Sequence, residues 1–183
     1  MPDAKLVLDG EDMRRTLTRI AHEIVENAGP PEQLALVGIH RRGAVLAARL
    51  RALLAELHGI EVPLGDLDIA FYRDDVTLRG GTPVVHATHL DFDVEGRTVV
   101  IVDDVLFTGR TVRAAIEALF DYGRPDRVQL AVLADRGHRE LPLRPDYVGK
   151  NLPTARSERV NVRVREIDGE DSVTIQEYEG AAV

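Results

Sequence analysis

The spacing of apolar residues changes period several times along the chain, and each change marks an element. Lys5 to Leu8 reads as a short strand. Met13, Leu17, Ile20 and Ile24 then recur at helical spacing behind Asp9, a helix-capping residue with a second acid, Asp12, three places on. That helix is predicted to end at Ala28-Gly29-Pro30-Pro31. Leu34 to Ile39 is an unbroken apolar run, the pattern of a strand covered on both faces. Leu46, Leu50, Leu53, Leu54 and Leu57 form the next helix, ending near Gly59. Val62 to Phe71 is predicted as a strand, and from Val76 to Asp93 no period holds. Four β-branched residues, Val99 to Val102, make a second doubly covered strand, followed by a helix on Val112, Ala115, Ile116, Leu119 and Phe120 that ends near Gly123. Arg127 to Ala134 is the next strand and Tyr147 to Lys150 a short edge strand. Val160, Val162 and Val164 alternate with Asn161, Arg163 and Arg165, and Ser172 to Tyr178 pairs back across a turn at Asp168-Gly169.

Strands and helices thus alternate as far as Ala134, which predicts an α/β fold. The expected architecture is a central, mostly parallel sheet flanked by helices, with a small antiparallel appendage at 159–179, in one domain over 1–183. Ligands of such sheets bind beyond the carboxyl ends of the strands. The polar turns after Ile39, Val102 and Ala134 should therefore meet on one rim.

The middle turn carries the clearest chemistry. Asp103 and Asp104 follow the strand directly, and Thr108-Gly109-Arg110-Thr111 opens the next helix. A tight turn entering a helix gathers free N–H groups and the positive end of the helix dipole, which is a cradle for phosphate. The two acids stand too near the cradle to bind the same phosphate. They suit hydroxyl groups, or a divalent cation held through water. Phosphate on one side and a diol on the other describe a ribose 5-phosphate. No Gly-x-Gly-x-x-Gly or Gly-x-x-x-x-Gly-Lys is present, which excludes the dinucleotide and Walker readings. In the first turn, Arg41 and Arg42 stand where an anion would bind, and Arg can grip two phosphate oxygens together.

Charge refines this picture. The net charge of −8 argues against indiscriminate nucleic-acid binding. It hides a basic stretch, Arg124 to Arg165, behind a segment from Glu166 onward that carries acids and no base. No cysteine is present, so neither disulfides nor thiolate chemistry arises. The apolar runs are too short to cross a membrane, and a cytoplasmic protein is expected. His86 and His89 lack a third ligand nearby and make a poor zinc site.

Val99 to Thr111 resembles the phosphoribosyl pyrophosphate (PRPP) motif of type I phosphoribosyltransferases. Narrower stretches are similar to one bacterial subfamily, the pyrimidine operon regulators that are also uracil phosphoribosyltransferases. These stretches are Arg19 to Ile24, Leu36 to Ile39 with Arg42-Gly43, Tyr72 to Asp75, Asp135 to Pro142, Gly149 to Asn151 and Arg156 to Glu158. The resemblance implies the reaction of uracil with PRPP to give UMP and pyrophosphate, assisted by Mg²⁺. It implies that Asp103 and Asp104 bind the ribose hydroxyls and, with Asp135, the metal. Leu106, Phe107, Thr108, Gly109, Arg110 and Thr111 would hold the 5-phosphate. Arg42, beside Arg41, would bind pyrophosphate. Arg73 would reach a phosphate from a flexible loop at 72–90, and Asp135 and Arg136 would lie near the base, itself held largely by backbone groups. The resemblance further implies uridine-nucleotide-dependent binding of pyrimidine-operon mRNA through Thr18, Arg19, His22, His138 and Lys150, in a homodimer or homotetramer. Two positions depart from the subfamily pattern, Arg41 where Thr is usual and Phe107 where Tyr is common. A phosphoribosyltransferase for hypoxanthine, guanine or orotate, and a nucleotide-sensing RNA-binding attenuator without turnover, are the alternative readings.

Overall fold

The computed structural model of the chain describes residues 3–70 and 88–178. Its elements run β1 (Lys5–Leu8), α1 (Gly10–Asn27), a 3₁₀ turn (Pro31–Gln33), β2 (Leu34–Ile39), α2 (Arg42–His58), β3 (Leu64–Leu67), β4 (Thr98–Leu106), α3 (Arg110–Phe120), β5 (Arg127–Asp135), β6 (Tyr147–Asn151), β7 (Glu158–Arg163), α4 (Arg165–Asp168) and β8 (Ser172–Glu177). Five strands form a parallel sheet in the order β3-β2-β4-β5-β6, and three form an antiparallel sheet in the order β1-β8-β7.

The doubly covered strands are as expected. All six residues of β2 and the first six of β4 are buried. Their side chains still alternate between faces. Leu34, Leu36, Val100 and Val102 join the core beneath α1 and α2, whereas Ala35, Val37, Ile39, Val99 and Ile101 join the core beneath α3. Each large side chain buried in this way contributes about 1.5–3 kcal/mol. α1 begins with a reciprocal cap, in which the Asp12 N–H donates to the Asp9 carboxylate at 2.8 Å and the Asp9 N–H donates to Asp12 at 3.3 Å. No helix among the described residues is long and apolar enough to cross a membrane.

The structure corrects several element boundaries. Of the strand expected over Val62 to Phe71, the described residues form strand only at Leu64–Leu67, and Phe71 lies outside them. Asp68 turns the chain there, since its carboxylate accepts the Ala70 N–H at 2.9 Å. β4 does not stop before the acids but continues through Asp103 and Asp104, because Val105 and Leu106 still pair with Ala134 and Asp135. The turn expected at Asp168-Gly169 is the end of the short helix α4, closed by Gly169. β1, the short strand expected at Lys5 to Leu8, is the third strand of the appendage and pairs antiparallel with β8. The appendage packs onto the main core, where Val160, Val162, Val164 and Val173 join the cluster under α1 and α2.

Candidate functional site

β2, β4 and β5 end on one rim, as the pattern of polar turns predicts. Asp103 is buried and Asp104 half-buried at the end of β4. Each carboxylate is fixed by the next backbone amide: the Asp104 N–H donates to Asp103 at 2.9 Å and the Val105 N–H donates to Asp104 at 2.8 Å. One oxygen of each acid is thereby oriented by the backbone.

The cradle is Leu106 to Thr111. Gly109, which caps the start of α3, has φ 94°, a left-handed backbone that any side chain would strain. Thr108 accepts the Arg110 N–H on its hydroxyl at 3.3 Å. The turn after β5 grips the cradle from behind. The Arg136 N–H donates to the Leu106 carbonyl at 3.0 Å, Arg139 donates to the Phe107 carbonyl at 2.8 Å, and the Glu140 and Leu141 N–H groups donate to the Thr108 carbonyl at 2.9 and 3.2 Å. Three successive carbonyls are held outward, which leaves the opposite side of those peptides for an anion.

Arg41 and Arg42 open α2. Gly43 brings this helix end against β4, since a Cβ there would lie 2.4 Å from the Val102 carbonyl oxygen and 3.3 Å from the Asp103 carboxylate. Arg42 is not free in solvent but donates to Asp168 of α4 at 2.7 and 3.2 Å. That hydrogen bond, opposed by partial burial, raises the guanidinium above its ordinary pKa. Arg42 and Asp104 share the wall of a cavity of about 580 Å³, roofed by Arg159, Asn161, Arg163, Ser172 and Thr174 of the appendage.

Asp135 is half-buried and paired within its own turn, accepting from Arg139 at 2.6 Å and from the Gly137 N–H at 3.1 Å. Arg136 is buried with its Nε unpartnered among the described residues, and burial lowers its pKa. It donates to the Ala155 carbonyl at 3.3 Å. Arg73 and almost all of the 72–90 loop, with His86, lie outside the described residues. His89 approaches Asp66 at 3.3 Å, and no group of three or more His, Cys, Asp or Glu among the described residues is arranged to hold a metal.

A second surface lies along α1. Thr18, Arg19 and His22 share one edge, and Arg19 donates to the carbonyls of Val148, at 3.3 Å, and Gly149 of β6, beside the exposed Lys150. His22 shares a 2.8 Å hydrogen bond with His58 at the end of α2. His138 stands on the turn after β5 with φ 65°, and its Nε2 donates to the Thr154 carbonyl at 2.6 Å, four residues beyond Lys150.

Sequence reasoning did not single out Arg139, Thr154, His58 or Asp168. For Asp168 a signal existed: Arg42 and Arg49 are seven apart on α2, and an acidic run begins at Glu166. Thr154 acts through its backbone carbonyl, Arg139 through the carbonyls of Phe107 and Leu143 as well as Asp135, and His58 through a hydrogen bond with His22 of another helix, partnerships that composition does not reveal.

A phosphoribosyl transferase domain matches residues 3–165. The bifunctional protein PyrR of Roseiflexus sp. (strain RS-1) is 61% identical over 165 residues, 90% of each chain. That of Thermus thermophilus is 59% identical over 175 residues, 96% of this chain and 97% of the relative. Among solved structures, a Trypanosoma cruzi hypoxanthine phosphoribosyl transferase superposes with a TM-score of 0.73 at 21% identity, covering 94% of this chain and 91% of that one, a likeness of fold alone. The chain belongs to the phosphoribosyl transferase family and, within it, groups with the proteins named bifunctional protein PyrR.

Proposed function

We propose that the rim formed by Arg42, Asp103, Asp104 and the Leu106 to Thr111 cradle transfers the phosphoribosyl group of PRPP to uracil, giving UMP and pyrophosphate. The observation that carries this reading is the acid pair running without a break into a left-handed turn at the start of α3. The 5-phosphate rests on the cradle and the ribose hydroxyls on Asp103 and Asp104. Uracil lies near Asp135 and Arg136, held largely by backbone groups. Arg42 meets the pyrophosphate as it leaves the ribose carbon through a cation-like state, and Arg73 approaches from the loop. No nucleophile is required.

Mg²⁺ fits this donor set, because it is commonly held by one or two carboxylates together with substrate phosphates. Asp103 and Asp104 would supply those carboxylates, and Asp135, already paired with Arg139, would contribute through water. The ion supplies positive charge to the leaving group.

The second activity is binding of pyrimidine-operon mRNA in response to uridine nucleotides, which makes the protein an attenuator of transcription. Thr18, Arg19, His22, His138 and Lys150 form the RNA face. A net charge of −8 requires local contacts to bases and phosphates of an RNA loop rather than bulk attraction. The protein works in the cytoplasm as a dimer or tetramer, which sedimentation would distinguish.

The test is product formation from PRPP and Mg²⁺ with uracil, orotate, hypoxanthine and guanine in parallel. Turnover with uracil alone is expected. Turnover with another base would overturn the assignment, and UMP binding without any turnover would make the protein an attenuator only, with Arg41→Thr the first substitution to make.

A further inference from the structure

We propose that Asp168, on the appendage, is a positioning residue for the pyrophosphate-binding Arg42. The inference rests on the reading of Arg42 given above.

Arg42 is the first residue of α2 and carries a long side chain that would sample many rotamers at a helix end. Asp168 removes that freedom. It takes the Nε and Nη2 edge of the guanidinium at 3.2 and 2.7 Å, the two-point geometry that fixes the plane of an Arg. Nη1 has no hydrogen bond among the described residues, and this free edge belongs to a side chain on the wall of the cavity shared with Asp104. Asp168 is itself held. Its Oδ2 also accepts the Val164 N–H at 2.8 Å, and its side chain is only 17% exposed. Arg42 is therefore preorganised, with its charge retained and one edge left for a phosphate.

The alternative role for Asp168 is to tie the appendage to α2. That task has a second agent. Arg49, two turns along the same face of α2, donates to Glu166 at 3.0 Å and to Asp171 at 2.7 Å. Breaking the Arg42–Asp168 pair leaves this tether in place, so the two roles separate by mutation.

Steady-state kinetics with saturating uracil and varied PRPP, together with product inhibition by pyrophosphate, make the test. Asp168→Asn should raise the KM for PRPP about tenfold and weaken pyrophosphate inhibition in parallel, since a hydrogen bond to a charged group is lost. The kcat should fall along with the rise in KM for PRPP, because Arg42 meets charge that develops on the leaving pyrophosphate, whereas the KM for uracil should not move. Asp168→Glu, which keeps the charge and serves should the Asn variant not fold, should shift the same constants by a smaller factor. Glu166→Gln, which weakens only the tether, should leave them at wild-type values. Wild-type PRPP and pyrophosphate constants in a folded Asp168 variant would overturn the proposal, as would an equal loss in Glu166→Gln. Arg42→Ala discriminates the underlying reading. If it leaves both constants unchanged, Arg42 does not bind pyrophosphate. If it impairs them while Asp168→Asn does not, only the role of Asp168 falls.

Discussion

The guanidinium of Arg136 lies 4.0 Å from the centroid of the Phe107 ring, and that ring meets His138 in a T-shaped contact at a centroid distance of 5.9 Å. Phe107 belongs to the cradle, whereas Arg136 and His138 belong to the turn that grips it. The stack therefore adds side-chain contacts to the backbone hydrogen bonds between the same segments. Phe107→Ala is expected to cost about 1–2 kcal/mol, the scale of a partly desolvated cation–π contact, and to raise the KM for PRPP several-fold as the cradle loosens. Phe107→Tyr keeps the ring and should be neutral to within about 0.5 kcal/mol. Urea unfolding measures the first effect. An unchanged midpoint in the Ala variant would show that the backbone bonds alone hold the cradle.

Asp104→Asn tests the ribose-binding pair. The amide oxygen of Asn can still accept the Val105 N–H that Asp104 now accepts at 2.8 Å, so the end of β4 should survive. The negative charge near the developing positive charge of the ribose is lost. Turnover should fall by about two to three orders of magnitude, on the scale of removing one oriented electrostatic partner, with the circular dichroism spectrum unchanged. A near-wild-type rate in a steady-state assay would refute the ribose role.

His138→Ala should weaken RNA binding and spare catalysis. The Ala variant also places a non-glycine residue at φ 65° without any local hydrogen bond to support it. His138→Asn controls for this, because Asn tolerates the left-handed region while lacking the imidazole. Comparable losses in filter-binding titrations of both variants would assign the effect to the ring. Unchanged affinity in both would remove His138 from the RNA face.

The central sheet and the cradle were legible because their signals are local. Val99 to Val102 is apolar without interruption, and Thr108-Gly109-Arg110-Thr111 follows within one turn. The joining of β1 to β8 was not legible, since it pairs Lys5 with Ile175 across nearly the whole chain, and alternation in two short segments does not say which strands meet. The link from Arg42 to Asp168 spans 126 residues. The acidic segment after Glu166 read only as a charge imbalance, but its first acids are the counter-charges of Arg42 and Arg49. The sequence placed both signs correctly and could not pair them, because side-chain pairing follows from packing of the appendage against α2.

That pairing predicts how stability responds to acid. The Arg42 hydrogen bond, helped by the Val164 N–H, holds Asp168 below the ordinary carboxyl value of 3.8. The Arg49 hydrogen bond holds Glu166 below 4.5 against a smaller opposing effect of burial. Both carboxyls bind protons less readily in the folded protein than in the unfolded chain. Their stabilisation is complete at neutral pH and is lost as pH falls from these unfolded values through the lower folded ones. Glu166 is half exposed, so solvent screening makes its share the smaller. Below about pH 4 the protein should therefore lose Tm steeply. The Asp168→Asn/Glu166→Gln double variant should start from a lower Tm at pH 7 and fall less between pH 5 and pH 3, because it has already lost what acid removes. Scanning calorimetry across that range measures the difference. Parallel curves for the two proteins would show that other carboxylates govern acid unfolding and that these two pairs contribute nothing to it.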